Sequence, residues 1–148
     1  MDSYTGETNY TLVADPVSSY PRFADVMDHY GYEWEAFKVT TDDQYILSTF
    51  HILGKIDKAD SDTESKGSVL VQHGDSFDGA MWLNTFIRKP FMLKLVDDGY
   101  DIWIGNNRGT MYSWDHVTLD SSVDSEYWMF TWADMGLYDT PANITMIK

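Results

Sequence analysis

Two short apolar runs with a helix-length segment between them dominate the hydrophobic pattern of the chain. The first run spans residues 69–71 and leads into a His-Gly-Asp turn at 73–75. The second spans residues 100–105 and leads into an Asn-Asn-Arg-Gly turn at 106–109. This pattern predicts two parallel strands joined by a right-handed crossover, in a sheet covered on both faces. Ligands in such sheets bind beyond the carboxyl ends of the strands, so the two turns form the candidate site.

The segment before these strands predicts a helix followed by an antiparallel hairpin. Apolar residues at helical spacing predict a helix over residues 23–30, which Gly31 can end. Two β-rich runs follow, at residues 37–40 and 45–52. The turn-forming residues 41–44 join them, as expected for a hairpin.

Polar segments divide the chain into a tail and one domain. Residues 1–19 are polar and aperiodic, and they predict a tail. Ordered structure is predicted to begin at the Tyr-Pro step at residue 20. Residues 20–148 then form one domain, as the length suggests. Within it, a mixture of Lys, Asp and Ser at residues 55–66 predicts a solvated loop.

The second half of the chain predicts two helical segments with an aromatic-rich loop between them. Pro90 suits the first turn of a helix that lies between the two strands, and Gly99 suits its exit. Residues 134–148 are helical in pattern but interrupted near Pro141, which predicts a kinked helix or two short ones. Because the chain stops within this pattern, its end is interpreted as a cut. The loop holds six aromatic residues, Tyr112, Trp114, Tyr127, Trp128, Phe130 and Trp132, which fit a core or an acyl-chain surface equally well.

Composition narrows the classes of function. The formal net charge is -14, which argues against nucleic acid or an anionic membrane surface as a partner, because both repel an acidic protein. The absence of Cys excludes a disulfide framework, a thiolate metal site and a Cys nucleophile. No apolar run reaches the roughly 18 residues of a transmembrane segment. The first residues of the chain also lack the pattern of a signal peptide.

Six motifs in a fixed order along residues 21–148 resemble a known family. Three are short: Tyr30-Gly31-Tyr32, Gln72-His73-Gly74 and Trp82. The others are the hairpin segment 39–47, the strand and turn at 98–109, and Tyr-Asp-Thr-Pro-Ala at 138–142. In this order and spacing they resemble the N-terminal third of the acid lipase family of the α/β-hydrolase fold, which includes gastric, lysosomal and steryl-ester lipases.

The resemblance implies a partial α/β-hydrolase, with an N-terminal antiparallel hairpin, parallel strands with crossover helices, and an end before the nucleophile elbow. It implies hydrolysis of a neutral lipid ester, such as a triacylglycerol or steryl ester, by a Ser-Asp-His triad without a cofactor. The Ser of that triad lies in a Gly-x-Ser-x-Gly elbow, and this motif is absent from the sequence. The chain is therefore expected to be inactive until the rest of such an enzyme completes it. Family members are often secreted, lysosomal or lipid-associated, so the compartment stays open.

One catalytic element implied by the resemblance falls within the chain. It is an oxyanion-hole donor, the backbone N–H of Asp75, on the turn formed by His73 and Gly74. Such a donor contributes about 3 kcal/mol. The family usually has an apolar residue there, and a carboxylate roughly 5 Å from an oxyanion costs on the order of 3 kcal/mol at an effective dielectric near 20. The donor is therefore useful only if the Asp75 carboxylate points to solvent.

The polar residues of the first turn have competing interpretations. His73 is interpreted as a hydrogen-bonded structural residue rather than a general base. A triad of His73, Asp75 and Ser76 is excluded, because near neighbours on an extended segment diverge. A metal site formed by His73, Asp75 and Asp78 is a weaker alternative to a solvated loop.

In the second turn, Asn106, Arg108 and Gly109 are interpreted as a structural loop. Arg108 is expected to tie loops together through carbonyls or a carboxylate, rather than to bind an anion. The candidate carboxylates are Asp101, Asp115 and Asp139.

A second hypothesis is that the chain is a non-catalytic structural or lipid-binding subunit of a larger assembly. In the hydrolase sheet the strand at 69–71 pairs on both sides, so this chain alone would leave one of its edges bare. An unpaired apolar edge promotes aggregation unless another chain covers it. This hypothesis therefore requires a protein partner at that edge.

Overall fold

A computed structural model describes residues 9–57, 65–84 and 89–148 of the chain. Within these residues one mixed sheet is formed by six strands: β1 (Asn9–Leu12), β2 (Tyr32–Thr40), β3 (Tyr45–Lys55), β4 (Ser68–Gln72), β5 (Asp101–Gly105) and β6 (Asp115–His116). Their order is β1-β2-β3-β5-β4, with β6 beside the start of β3. β4 and β5 are parallel, and the other pairs are antiparallel.

The helices lie between the strands and at the end of the described chain. They are α1 (Pro16–Ser19), α2 (Pro21–Tyr30), α3 (Phe91–Asp97), α4 (Trp132–Asp134) and α5 (Thr140–Ile147), with 3₁₀ turns at Gly79–Leu83 and Ser125–Trp128. A π-helical segment, Met135–Asp139, joins α4 to α5, so residues 132–147 are helical without a break. Among the described residues, no helix is long and apolar enough to cross a membrane.

The predicted parallel pair is confirmed. Val69 lies opposite Ile102 and Val71 lies opposite Ile104, with α3 between the two strands along the chain. The hairpin of β2 and β3 precedes them, as the sequence predicts. The strands therefore follow the order that the resemblance implies, with an antiparallel beginning and a parallel crossover.

β5 has apolar side chains at successive positions from Ile102 to Ile104, because both of its faces are covered. Ile102 and Ile104 are fully buried in a core with α2, α3 and β3. Trp103 faces the other side and packs in a second core with residues of α5. A strand between two such layers needs apolar side chains at successive positions rather than at alternate ones.

β4 is less buried than the sequence pattern predicts. Its residues range from exposed at Ser68 to partly buried at Val69, Leu70 and Val71. In the part of the chain that the structure describes, β4 pairs only with β5 and forms one edge of the sheet. Its apolar run thus fits a strand with neighbours on both sides, of which the described residues supply one.

The predicted tail is wrong for residues 9–19. β1 pairs with the whole second half of β2, and Val13 continues this contact by donating its N–H to the carbonyl of Ala36 at 2.8 Å. Tyr10 adds an edge-to-face ring contact with Phe37. Because backbone hydrogen bonds hold this edge strand, it needs no regular apolar alternation, which is why the pattern missed it. Residues 1–8 lie outside the described residues.

The helix and hairpin predictions hold, with extended bounds. α2 begins at Pro21 and ends at Tyr30, and the next residue, Gly31, has a φ of 71°, in the left-handed region that favours glycine. β2 begins five residues earlier than the predicted run. A shift in its pairing register between Glu33 and Trp34 interrupts the alternation of buried and exposed side chains in this added part. Of the predicted loop at 55–66, residues 58–64 lie outside the described residues.

The interruption predicted near Pro141 takes the form of a π-helical segment rather than a break. The N–H of Thr140 donates to the carbonyl of Met135, five residues back. Pro141 then occupies the first turn of α5, where its missing N–H and its ring are tolerated. The wider π turn lets the helix continue past a residue that would otherwise kink it.

Gly105, at the end of β5, has no room for a side chain. A Cβ there would overlap Gln72 Oε1 and lie 2.9 Å from Asn143 Nδ2. We expect Gly105→Ala to lower the free energy of unfolding by about 1–3 kcal/mol, as overpacking does. Gly136→Ala is the matched control, because a Cβ there meets nothing within 4 Å. Urea denaturation should show little change, or a gain of up to about 1 kcal/mol, for the control. Equal losses in both variants would contradict this account.

Candidate functional site

The two turns predicted as the candidate site meet at the carboxyl ends of β4 and β5. They form a cleft of ≈ 540 Å³. The turn at residues 73–78 makes one wall and the loop at residues 107–111 makes the other, while Phe130 and Met135 close a third side. Polar backbone and apolar side chains thus share one concave surface, as is common in ligand sites.

His73 is buried, and both of its ring nitrogens are engaged. Nε2 accepts a hydrogen bond from the backbone N–H of Asn107 at 3.0 Å, and Nδ1 lies 2.8 Å from the carbonyl oxygen of Gly74. Because Nε2 accepts, the ring is neutral and its proton is on Nδ1, which donates to Gly74. With no free nitrogen, His73 has the contacts of a structural residue and not those of a general base.

Asp75 is exposed at the mouth of the cleft. Its backbone N–H makes no hydrogen bond with any residue that the structure describes. Ser76, the next residue, has a φ of 62°, so the chain turns sharply immediately after this N–H. Because water surrounds the exposed carboxylate, its effective dielectric is close to that of the solvent. Its cost to an oxyanion roughly 5 Å away then falls to about 1 kcal/mol.

The remaining polar residues of the first turn do not form a triad or a metal site. Ser76 is exposed, and neither ring nitrogen of His73 is left to contact it. Asp78 accepts from the N–H of Ala80 at 2.8 Å and caps the 3₁₀ turn. Across residues 9–57, 65–84 and 89–148, no three His, Asp or Glu side chains lie close enough to hold a metal ion.

Asn106 joins β3 and the 3₁₀ turn at Gly79–Leu83 to the loop after β5. Its side chain donates to the carbonyl of Ser48 on β3 at 2.8 Å and accepts from the N–H of Gly79 at 2.8 Å. It is fully buried, so both bonds are needed to satisfy the amide. Gly109 ends the loop with a φ of 76°, and a Cβ there would lie 2.6 Å from Phe130 Cζ. The loop is therefore fixed at its start by the hydrogen bonds of Asn106 and at its end by the close packing of Gly109 against Phe130.

Arg108 lies between Asn106 and Gly109 in the sequence, and it is the largest fully buried side chain among the described residues. Three of its donors reach Asp139: the backbone N–H at 2.9 Å, Nε at 2.8 Å and Nη2 at 2.7 Å. Nη1 and Nη2 also bind both oxygens of Asp43, at 2.5 Å and 2.8 Å. The guanidinium lies over the ring of Tyr45, 3.9 Å from its centroid. Arg108 thus connects the hairpin turn, the loop after β5 and the π-helical segment.

Burying the charges of Arg108 and Asp139 costs free energy, so each charge depends on the other. Asp139 is fully buried; burial raises the pKa of its carboxyl, and the Arg108 guanidinium acts in the opposite direction. Burial likewise disfavours the charge of Arg108, but Asp43 and Asp139 together raise its pKa. Each ion therefore depends on its partner to remain charged out of water.

The sequence identifies one of the two partners of Arg108. Asp139 is among the three predicted carboxylates, whereas Asp101 and Asp115 bind elsewhere: Asp101 accepts from Trp103 Nε1 at 2.7 Å, and Asp115 pairs with Lys38 at 2.7 Å. Asp43 is missed because it lies in the hairpin turn, 65 residues away. The only signal for it is a polar turn at the end of the hairpin, which does not distinguish between its two aspartates.

The aromatic loop is divided between core and surface. Tyr112 and Tyr127 are buried, and burial raises the pKa of Tyr127 to about 12. Trp114, Trp128 and Trp132 are about half exposed or more, and Trp132 is the most exposed of them at 72%. Neither interpretation from the sequence holds for the whole segment, since the tyrosines build the core and the tryptophans face outward.

Removing the charge of Arg108 should destabilise the fold, because the buried carboxylate of Asp139 then has no cation beside it. We expect Arg108→Met to lower the free energy of unfolding by about 3–5 kcal/mol, because Asp139 is then buried without its cation. The double variant Arg108→Met with Asp139→Leu should regain part of this loss, since an apolar pair leaves no buried charge. Urea denaturation of the wild type, both single variants and the double variant provides the test. Additive losses in the double variant would show that the two charges are not coupled.

Comparison with known proteins gives a consistent family assignment. Residues 23–85 match a family model described as a partial α/β-hydrolase lipase region. These residues include most of α2, the hairpin of β2 and β3, and β4 with the turn that follows it.

Similarity to lipases extends over most of the chain. It is 34% identical to mouse (Mus musculus) lipase member M over 140 residues, which cover 93% of this chain and 32% of that protein. It is 36% identical to human lysosomal acid lipase/cholesteryl ester hydrolase over 125 residues, or 84% of this chain and 31% of that protein. It is 40% identical to lipase 1 of Drosophila melanogaster over 117 residues, or 78% of this chain and 24% of that protein.

The chain spans about a third or less of the length of these curated relatives. Both turns of the cleft lie within the matched span, since the match to the mouse protein covers 93% of this chain. The resemblance seen in the sequence motifs is thereby confirmed: this chain is an acid lipase-like, partial α/β-hydrolase.

Proposed function

We propose that the chain is the N-terminal portion of a lipid ester hydrolase and that it supplies one donor of the oxyanion hole. The observation that carries this proposal is the unbonded backbone N–H of Asp75 beside a cleft of ≈ 540 Å³ at the carboxyl ends of the parallel strands. That edge is where sheets of this class bind ligands.

The donor acts on the charge that develops during ester hydrolysis. When a nucleophile adds to the ester carbonyl, its oxygen becomes an oxyanion, and a fixed N–H stabilises this state by about 3 kcal/mol. In this proposal the nucleophile and its base come from the rest of the enzyme. His73 has no free ring nitrogen, and the sequence contains no Gly-x-Ser-x-Gly elbow.

The walls of the cleft favour a neutral, apolar substrate. Phe77, Met111, Phe130 and Met135 line it together with the polar turn. An acyl chain could lie against these side chains while its ester carbonyl faces Asp75. The net charge of -14 disfavours anionic substrates and agrees with a neutral lipid ester. The human relative is named for hydrolysis of cholesteryl esters, which belong to this class.

A second candidate is a non-catalytic structural or lipid-binding subunit, and the open edge of β4 favours it. In a parallel ladder, successive residues direct their N–H and C=O groups to opposite sides. Asp101 donates its N–H to the carbonyl of Gly67 at 3.1 Å, so Gly67, Val69 and Val71 face β5. Leu70 therefore directs both backbone groups towards the bare side, where a strand of a partner could pair.

A chimera tests the enzyme proposal. The aligned segment of human lysosomal acid lipase is replaced by this chain, and hydrolysis of a short acyl ester is measured. We expect turnover by the chimera and none by the isolated chain, because only the chimera has a nucleophile. Asp75→Leu in the chimera should raise kcat about fivefold, which corresponds to about 1 kcal/mol of repulsion removed from the oxyanion.

Asp98→Asn is the matched control for charge. Asp98 is also exposed, but it lies at the amino end of β5 and therefore away from the cleft. Its removal should leave kcat unchanged. A folded but inactive chimera, with either Leu or Asp at position 75, would reject the enzyme proposal and favour the subunit. Turnover by the isolated chain would contradict the assignment of the nucleophile to the rest of the enzyme.

Amide hydrogen exchange tests the open edge. In the isolated chain we expect the amides of Val69 and Val71 to be protected by β5, and those of Leu70 and Gln72 to exchange much faster. In the chimera all four should be protected, because a neighbouring strand then covers β4. The two protected amides of the same strand serve as the internal control. Equal protection of all four in a monomeric chain would count against the need for any covering strand.

A further inference from the structure

We infer that His73 is a positioning residue, which directs the Asp75 N–H into the cleft by holding the carbonyl of Gly74. The catalytic consequence of this inference rests on the proposed function. The positioning itself is a property of this chain and can be measured without turnover.

The geometry of one peptide links the two groups. The carbonyl of Gly74 and the N–H of Asp75 belong to the same planar unit, and no peptide bond among the described residues is cis. In a trans peptide the C=O and N–H point in opposite directions. A bond that fixes the direction of the Gly74 oxygen therefore also fixes the direction of the Asp75 N–H.

This peptide needs an external restraint. Gly74 has no side chain, and a Cβ built there would meet nothing within 4 Å, so packing does not hold it. Glycine also has the widest range of backbone conformations, which lets the adjoining peptide rotate. The exposed Asp75 adds no restraint through its side chain. The contact that remains is the hydrogen bond from His73 Nδ1 to the Gly74 oxygen, at 2.8 Å.

The tautomer that makes this bond is set by the neighbouring loop. The Asn107 N–H, 3.0 Å from Nε2, requires a lone pair there and so leaves the proton on Nδ1. Asn107 is itself restrained, because its side-chain oxygen accepts from Gln72 Nε2 at 2.6 Å. The next backbone N–H, that of Arg108, is bound to Asp139 at 2.9 Å. The loop after β5 thus keeps the proton on His73 Nδ1, the donor that holds the turn after β4.

Two substitutions separate the two ring nitrogens. The amide nitrogen of His73→Asn takes the place of Nδ1 and can still donate to Gly74, but it leaves the Asn107 N–H without its acceptor. The amide of His73→Gln extends to the position of Nε2 and can still accept from Asn107, but it offers no donor to Gly74. If the role of His73 is to hold the Gly74 carbonyl, the Asn variant should preserve the direction of the Asp75 N–H and the Gln variant should not.

NMR of the isolated chain provides the readout. The residual dipolar coupling of the Asp75 N–H reports the direction of that bond, with Val69 and Val71 as references within the rigid ladder. We expect the coupling of the Asn variant to match the wild type and that of the Gln variant to differ, while both references stay unchanged. A variant that merely weakens the fold would shift the references as well.

The wild type alone supplies a second measurement, which does not depend on a variant folding. Long-range ¹H–¹⁵N correlation should show a neutral His73 ring with its proton on Nδ1, and a coupling through the hydrogen bond should connect Asn107 N to His73 Nε2. A proton on Nε2 would overturn the inference. An Asp75 coupling that is unchanged in the Gln variant, or disturbed more in the Asn variant, would also overturn it.

Activity in the chimera separates this inference from the proposed function. We expect the Gln variant to lose at least about tenfold in kcat relative to the Asn variant, with little difference in KM, because the donor acts on the transition state. Preserved positioning in an inactive chimera would reject the proposed function and leave the inference standing. An active chimera in which both variants turn over equally would reject the inference and leave the function standing.

Discussion

The structure depends on one buried charge, the guanidinium of Arg108. Its two partners come from distant parts of the chain: Asp43 from the turn of the hairpin and Asp139 from the π-helical segment. A buried cation is tolerated only when every donor is satisfied, so neither partner can move without cost. The cluster therefore fixes three elements relative to one another at the carboxyl edge of the sheet, where strand pairing alone would leave loops free.

The contacts that fix Arg108 also restrain the cleft, through the backbone of the same loop. The same loop that places the guanidinium places the Asn107 N–H against His73, and His73 bonds to the Gly74 carbonyl. Two kinds of interaction thus act in sequence: a buried ion pair sets the loop, and directional hydrogen bonds set the turn. A histidine and a serine, side chains familiar from catalysis, lie on this turn, but both ring nitrogens of the histidine are bound to backbone groups.

The sequence predicts those parts of the fold that leave a periodic or family-specific signal. The apolar run of β5 and the turn residues of the hairpin identify the sheet, because burial and tight turns restrict residue type directly. β1 is missed, because an edge strand held by backbone bonds restricts residue type little. At the site, position in the motif identifies His73, Gly74 and Asp75, but the bonds of the His73 ring depend on the fold of a loop 34 residues away. Long-range pairings of this kind leave no local pattern.

The edge position of β4 among the described strands has a consequence for the order of the candidate site. A strand with one ladder opens locally at a lower free energy than a strand with two, and the His73 turn is its direct continuation. Fluctuations of β4 are therefore transmitted to the Gly74 peptide. A strand that paired with the free side of β4 would restrict those fluctuations, so such pairing and the ordering of the Asp75 N–H would be thermodynamically linked although no contact is made between them.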